Sequence, residues 1–179
     1  SLRAVPAMAI TDFSVAVRPE VLARIRDRLA NAHWADAPDD DADWTYGTDR
    51  RWLQGLVDHW LHRHDWRSCE AWLNRWPQYT ATVDGIRIHF YRVRGSSARL
   101  RPLLLTHGWP GSVVEFLGCI DRLAFPARFG GDARDGFDVV IPSLPGYGFS
   151  GKPPRPIGPR RIAALWRKLM VEQLDSPRF

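Results

Sequence analysis

Leu103-Leu104-Leu105-Thr106-His107-Gly108-Trp109-Pro110-Gly111-Ser112 joins an apolar strand to a helix through a loop rich in glycine and proline. Three leucines without polar alternation read as a strand covered on both faces, as in a parallel sheet. Ser112 followed by Glu115 forms a capping box, and Val113, Phe116, Leu117 and Ile120 then recur at helical spacing. This predicts a helix from Ser112 to about Leu123. Gly108, Pro110 and Gly111 supply the sharp turn between strand and helix. A backbone amide left free in such a turn, here that of Trp109, can face a developing negative charge, where one donor contributes roughly 3 kcal/mol to an acyl-transfer transition state. The same residues also suit a plain helix-capping loop.

The rest of the chain sets the frame for that loop. With 179 residues and 45% hydrophobic content, the chain suits a globular protein with a real core. Cys69 and Cys119 fit no metal or redox spacing and read as thiols of a reducing, cytoplasmic compartment. No apolar run approaches membrane-spanning length, so no membrane partner is expected. Ser1 to Ala7 precede Met8 and read as a possible extension of the natural start. The net charge of +5 is spread over amphipathic helices, as at Arg24, Arg26 and Arg28, so nucleic acid is not the expected partner.

The division falls near Pro77. Residues 1–79 read as a helical segment: a first helix from Pro19 with Leu22, Ile25 and Leu29 on one stripe, a second carrying Leu53, Leu56, Val57, Trp60 and Leu61, and a short third with Glu70, Trp72, Leu73 and Trp76. Seven of the nine tryptophans lie between residues 34 and 76, a density that predicts packing against a larger body. The acidic connection Asp36 to Asp43 lacks the central glycine and terminal glutamate of a calcium loop. Residues 80–179 read as strands and helices in alternation. Asp84-Gly85 predicts a hairpin between Thr80–Val83 and Ile86–Val93, with Arg87 and His89 alternating against Ile86, Ile88 and Phe90. The strand at Leu103–Thr106, its helix, a second apolar strand at Phe137–Ile141 and a last helix after Gly158-Pro159 follow. That order predicts an α/β fold with parallel crossovers.

Three tempting motifs fail on context. Gly146-Tyr147-Gly148-Phe149-Ser150-Gly151 has the spacing of a dinucleotide loop, but Lys152-Pro153-Pro154-Arg155-Pro156 forbids the helix that loop must open. The same stretch is not a nucleophile elbow, because Ser150 abuts Gly151. His59 and His62 fall on the polar side of the second helix while His64 lands near its apolar stripe, so the three do not converge on a metal. No metal and no cofactor is expected.

Several segments in this order resemble the microsomal-type epoxide hydrolases, including those acting on juvenile hormone. They are Phe13-Ser14-Val15 with the Pro19–Leu29 helix, Trp44-Thr45-Tyr46-Gly47, and Asp65-Trp66-Arg67 with Glu70, Leu73, Asn74 and Pro77. The match continues through Asp84 to Phe90, His107 to Ser112 with Glu115-Phe116, and Pro142 to Ser150. The resemblance implies an N-terminal epoxide-hydrolase segment followed by the first half of an α/β-hydrolase core. It gives the Trp109 N–H to an oxyanion hole and its ring to the substrate pocket, with His107, Gly108 and Pro110 shaping that pocket loop. It implies a small epoxide as substrate and no cofactor.

In the family an aspartate opens the epoxide to an ester, two lid tyrosines protonate the leaving oxygen, and a histidine paired with an acid activates water. The resemblance places that aspartate after the Ile162–Leu174 helix, beyond Phe179, and matches none of Tyr46, Tyr79, Tyr91 or Tyr147 to the lid. The expectation is an epoxide hydrolase half that is inactive alone and is completed by a second polypeptide or a continuing reading frame. A non-catalytic half-fold that binds or assembles, and an α/β-hydrolase of esterase specificity, are the alternatives.

Overall fold

Asp84 and Gly85, with φ of +48° and +78°, turn the chain between β2 (Gln78–Val83) and β3 (Ile86–Val93). Two successive left-handed residues give the turn that matches strand twist, and glycine takes the second position without a Cβ penalty. Val83 then faces Ile86, and Gln78 faces Tyr91, in antiparallel register. The structure is a computed structural model and describes residues 10–38, 44–99 and 101–179. The opening residues Ser1 to Met8 and part of the Asp36 to Asp43 connection lie outside the described residues.

The hairpin grows on both sides. A short strand β1 (Thr11–Phe13), absent from the sequence reading, pairs antiparallel with β2. On the other side β5 (Asp138–Pro142) pairs antiparallel with β3, and β4 (Pro102–Leu104) pairs parallel with β5. The order is therefore β1-β2-β3-β5-β4, a mixed sheet in which the later strand inserts between two earlier ones. The leucine strand was expected to be covered on both faces. It is instead half-buried and at the sheet edge, and only Leu105, whose N–H meets the Val140 carbonyl at 2.9 Å, extends its ladder.

The crossover from β4 to β5 is carried by α4 (Val114–Leu117) and α5 (Ile120–Ala124) rather than by one continuous helix. The break has a local cause. Gly118 is a poor helix former, and the Cys119 thiol takes the Phe116 carbonyl at 3.0 Å in competition with the helical ladder.

One face of the sheet buries Ala81, Val83, Ile88, Phe90 and Val140 against Leu165, Trp166, Leu169 and Met170. These last four come from α6 (Pro159–Lys168) and the π-helical turn Leu169–Gln173 that continues it. Alternation turns Val139 and Ile141 to the opposite face. Asp84 anchors the hairpin to α6 through Lys168 at 2.5 Å and Arg161 at 2.8 Å, and the Lys168 ammonium, with Arg161 beside it, holds this carboxyl below the ordinary carboxylate range.

The described chain divides into two compact units, Val15–Leu73 and the remainder. The first contains α1 (Pro19–Ala30), α2 (Arg50–His62) and α3 (Trp66–Leu73). Proline opens α1, and Asp49 caps α2 by accepting the Trp52 N–H at 2.7 Å. The buried Glu70 carboxylate accepts the Val17 N–H and the Arg67 guanidinium, both at 2.5 Å, tying the approach to α1 onto α3. Trp44, Trp52, Trp60 and Trp72 are all exposed. Among the described residues no helix is long and apolar enough to cross a membrane.

Candidate active site: the loop from His107 to Ser112

Beyond β4 the chain leaves the sheet at the strand's C-terminal end, where open parallel sheets place their ligands. Thr106 accepts the Trp166 indole N–H at 3.1 Å, so the exit is tied to α6. His107 then turns inward and is almost fully buried. Its Nε2 accepts the Leu144 backbone N–H at 3.1 Å. Nδ1 therefore carries the proton and faces the Gly108 carbonyl at 3.3 Å. The ring also meets Tyr147 edge-on at 5.4 Å. Both contacts lie on the loop that follows β5, so His107 joins two loops at the same end of the sheet.

The next four residues fold back. Gly111 donates its N–H to the Gly108 carbonyl at 2.8 Å, and the Trp109-Pro110 peptide bond is cis. Glu115 closes the capping box by accepting the Ser112 N–H at 3.1 Å, while Ser112 Oγ accepts the Val114 N–H at 3.3 Å. A Cβ at 111 would meet the Glu115 carboxylate, so a side chain there would have to displace that end of Glu115. Trp109 at the apex is 83% exposed, and among the described residues no acceptor is bonded to its backbone amide. Of the sequence-predicted residues, His107 has both ring nitrogens and Gly108 its carbonyl engaged within the fold, whereas Trp109 is exposed and Pro110 follows it through the cis bond.

A second polar network supports the neighbouring loop, and sequence alternation missed it. His89 was expected on the polar side of the hairpin, yet it is fully buried. Its Nδ1 accepts from Ser143 Oγ at 2.9 Å and its Nε2 donates to Gln78 Oε1 at 3.0 Å, with Gln78 in turn donating to Asn74 at 2.9 Å. Phe13, Phe149 and Tyr91 surround the ring at 4.9, 5.3 and 5.5 Å. Burial, with the Arg87 charge adding to it, pushes the imidazole down to about 4. The unpredicted strand β1 brings Phe13 over this face, so the sequence signal was the Phe13-Ser14 stretch rather than His89 itself.

Ser150 belongs to the same network. Its Oγ accepts the His89 N–H at 3.0 Å and donates to the Ser143 carbonyl at 2.7 Å. A buried hydroxyl spent on a backbone carbonyl is no nucleophile. His62 pairs with Asp58 at 3.0 Å and His64 with Cys69 at 3.8 Å, so these histidines are engaged separately.

Residues 10–116 match the family model described as "Epoxide hydrolase N terminus", and residues 101–176 match the "alpha/beta hydrolase fold". A protein of Stigmatella aurantiaca named "Putative epoxide hydrolase" is 46% identical over 162 residues, covering 90% of this chain and 37% of that protein. Juvenile hormone epoxide hydrolase 2 of Ctenocephalides felis is 33% identical over 88% of this chain and 34% of its own length. The epoxide hydrolase structure from Aspergillus niger superposes with a TM-score of 0.82 at 30% identity, covering 94% of this chain and 44% of that one. The chain spans about a third of the length of the curated relatives it matches. An α/β sheet of hydrolase topology, preceded by this helical segment and matched from residue 10 onward, places the chain in the epoxide hydrolase family.

Proposed function

We propose that this chain supplies the oxyanion-hole part of an enzyme that adds water to a small epoxide to give a diol. The observation that carries the reading is Trp109 beyond the C-terminal end of β4, an exposed residue whose backbone amide has no acceptor among the described residues, on a loop held by His107 and the Ser112–Glu115 box. His107, Gly108, Trp109 and Pro110 form the substrate-facing loop, and the Trp109 ring makes a pocket wall.

In the reaction a carboxylate attacks one epoxide carbon, the C–O bond breaks toward oxygen, and a phenol protonates the alkoxide. Water, deprotonated by a histidine, then attacks the carbonyl of the resulting ester. The negative charge that develops on that carbonyl oxygen is where the Trp109 N–H donates. Collapse of the intermediate breaks the ester C–O bond, the histidinium gives its proton to the leaving alkoxide to release the diol, and the regenerated acid returns a proton to the phenol, restoring the carboxylate. The carboxylate, phenols and histidine of this route are not assigned to residues of this chain, which spans about a third of its relatives' length. The free thiols Cys69 and Cys119 support a cytoplasmic setting, in which the activity would clear reactive epoxides.

The test is styrene oxide turnover by a complete polypeptide carrying this chain, in water enriched with heavy oxygen. A single turnover should place unlabelled oxygen in the diol, because that oxygen comes from the enzyme carboxylate. Label in the first-turnover diol excludes the ester route. The 179-residue chain alone should form no diol above a heat-killed control.

A further inference from the structure

Arg92 and Arg94 flank the end of β3, and among the described residues neither forms an ion pair. Arg92 is half-buried, and that burial, with Arg94 beside it, holds its guanidinium below the ordinary range. Asp138 acts on Arg92 in the opposite direction through space but forms no ion pair with it. A half-buried cation with a second, exposed cation near it, neither of them ion-paired, is an arrangement that a bound anion stabilises.

The same two arginines border a cleft of about 330 Å3. Its floor is hydrocarbon: Phe90 and Leu174 belong to the core, and Ile10 and Pro77 complete the wall. Tyr79 is the one other polar-bearing side chain along it. A nucleotide base would need several donors and acceptors in the floor, which these residues lack. A compact inorganic anion would leave the apolar floor unused. Cationic rim and hydrocarbon floor together fit one ligand chemistry, a single-headed anionic amphiphile.

We propose that this cleft binds a medium-chain carboxylate, with the carboxylate between Arg92 and Arg94 and the alkyl tail on Phe90, Leu174 and Ile10. The site lies apart from the Trp109 loop in the chain and stands independently of the epoxide reading. Its charge-assisted contacts weaken as salt rises.

Titration calorimetry of the 179-residue chain with decanoate, at low ionic strength and below the micelle concentration, tests it. Saturable one-to-one binding is expected. Arg94→Gln should weaken it by about tenfold or more while leaving the melting temperature unchanged, since Arg94 is exposed. Arg92→Gln should act in the same direction, and Ile10→Gln should weaken decanoate binding through the tail. Decanol should bind at least tenfold more weakly than decanoate, and inorganic phosphate should not compete. The proposal is overturned by absence of saturable binding, by equal affinity for decanol, or by decanoate affinity unchanged in Arg94→Gln. Phosphate competing at concentrations equal to decanoate overturns the amphiphile assignment.

Discussion

The Leu144 backbone N–H donates to His107 Nε2 at 3.1 Å, and this single bond spans from the loop after β4 to the loop after β5. Both partners are buried, so neither has water as a substitute. His107→Phe keeps the ring volume but leaves the Leu144 amide unpaired. The expected cost is about 1–3 kcal/mol of stability, read by urea denaturation. An unchanged midpoint would show that another acceptor reaches Leu144.

The two roles proposed for Trp109 can be tested separately in a complete enzyme carrying this chain. Trp109→Ala keeps the amide and removes the indole, so it should alter substrate range. Trp109→Pro removes the donor and should slow breakdown of the ester intermediate by about a hundredfold or more. Single-turnover kinetics separates ester formation from ester breakdown. Equal breakdown rates in a folded proline variant would rule the amide out.

Gly111 and Glu115 should behave as one unit. A Cβ at 111 displaces the Glu115 carboxylate from the Ser112 N–H, which is the bond that Glu115→Ala also removes. Each change should cost about 1 kcal/mol, and the double variant should cost no more than the larger single one. Strict additivity in thermal denaturation contradicts this.

His89 gives the chain a pH dependence with a defined sign. In the folded protein it titrates at about 4, against an ordinary 6.5. Between those values the unfolded chain binds a proton that the folded one refuses. Stability is therefore complete above pH 6.5 and falls as pH drops toward 4, by about 3 kcal/mol in all. The lowered carboxyls of Asp84 and Glu70 start from 3.8 and 4.5, so their losses come at lower pH. The interval from about pH 6.5 to 5 thus reports His89. Urea midpoints measured there should slope in the native chain and be flat in His89→Gln.

The parts of the fold legible in the sequence are those fixed by local chemistry. Asp84-Gly85 named its hairpin because few residue pairs take that turn, and Ser112 with Glu115 named the helix start because the cap is made by those side chains themselves. The parts missed depend on distant partners. Thr11–Phe13 has no alternation long enough to read as a strand and becomes one by pairing with β2. His89 looks like a polar alternation partner until Phe13, Phe149 and Ser143 enclose it. The half-burial of the leucine strand, where three apolar residues in a row pointed to cover on both faces, depends on what packs against it, which no local pattern in Leu103-Leu104-Leu105 encodes. For the candidate site, the loop residues and the part of His107 in holding the loop were readable, whereas its bond to the Leu144 N–H, a partner 37 residues away, was not.

Among the described residues β4 has a partner on one side only, and the Trp109 loop departs from its C-terminal end. A parallel strand joining the open side would lie about 4.8 Å away, and its own C-terminal end would arrive beside that loop. Zipping the sheet and bringing a nucleophile within reach of the Trp109 amide are then a single event. A slip of one residue in that pairing would turn the incoming side chain to the wrong face. On the proposed reading, diol formation would then report correct pairing at the open side of β4.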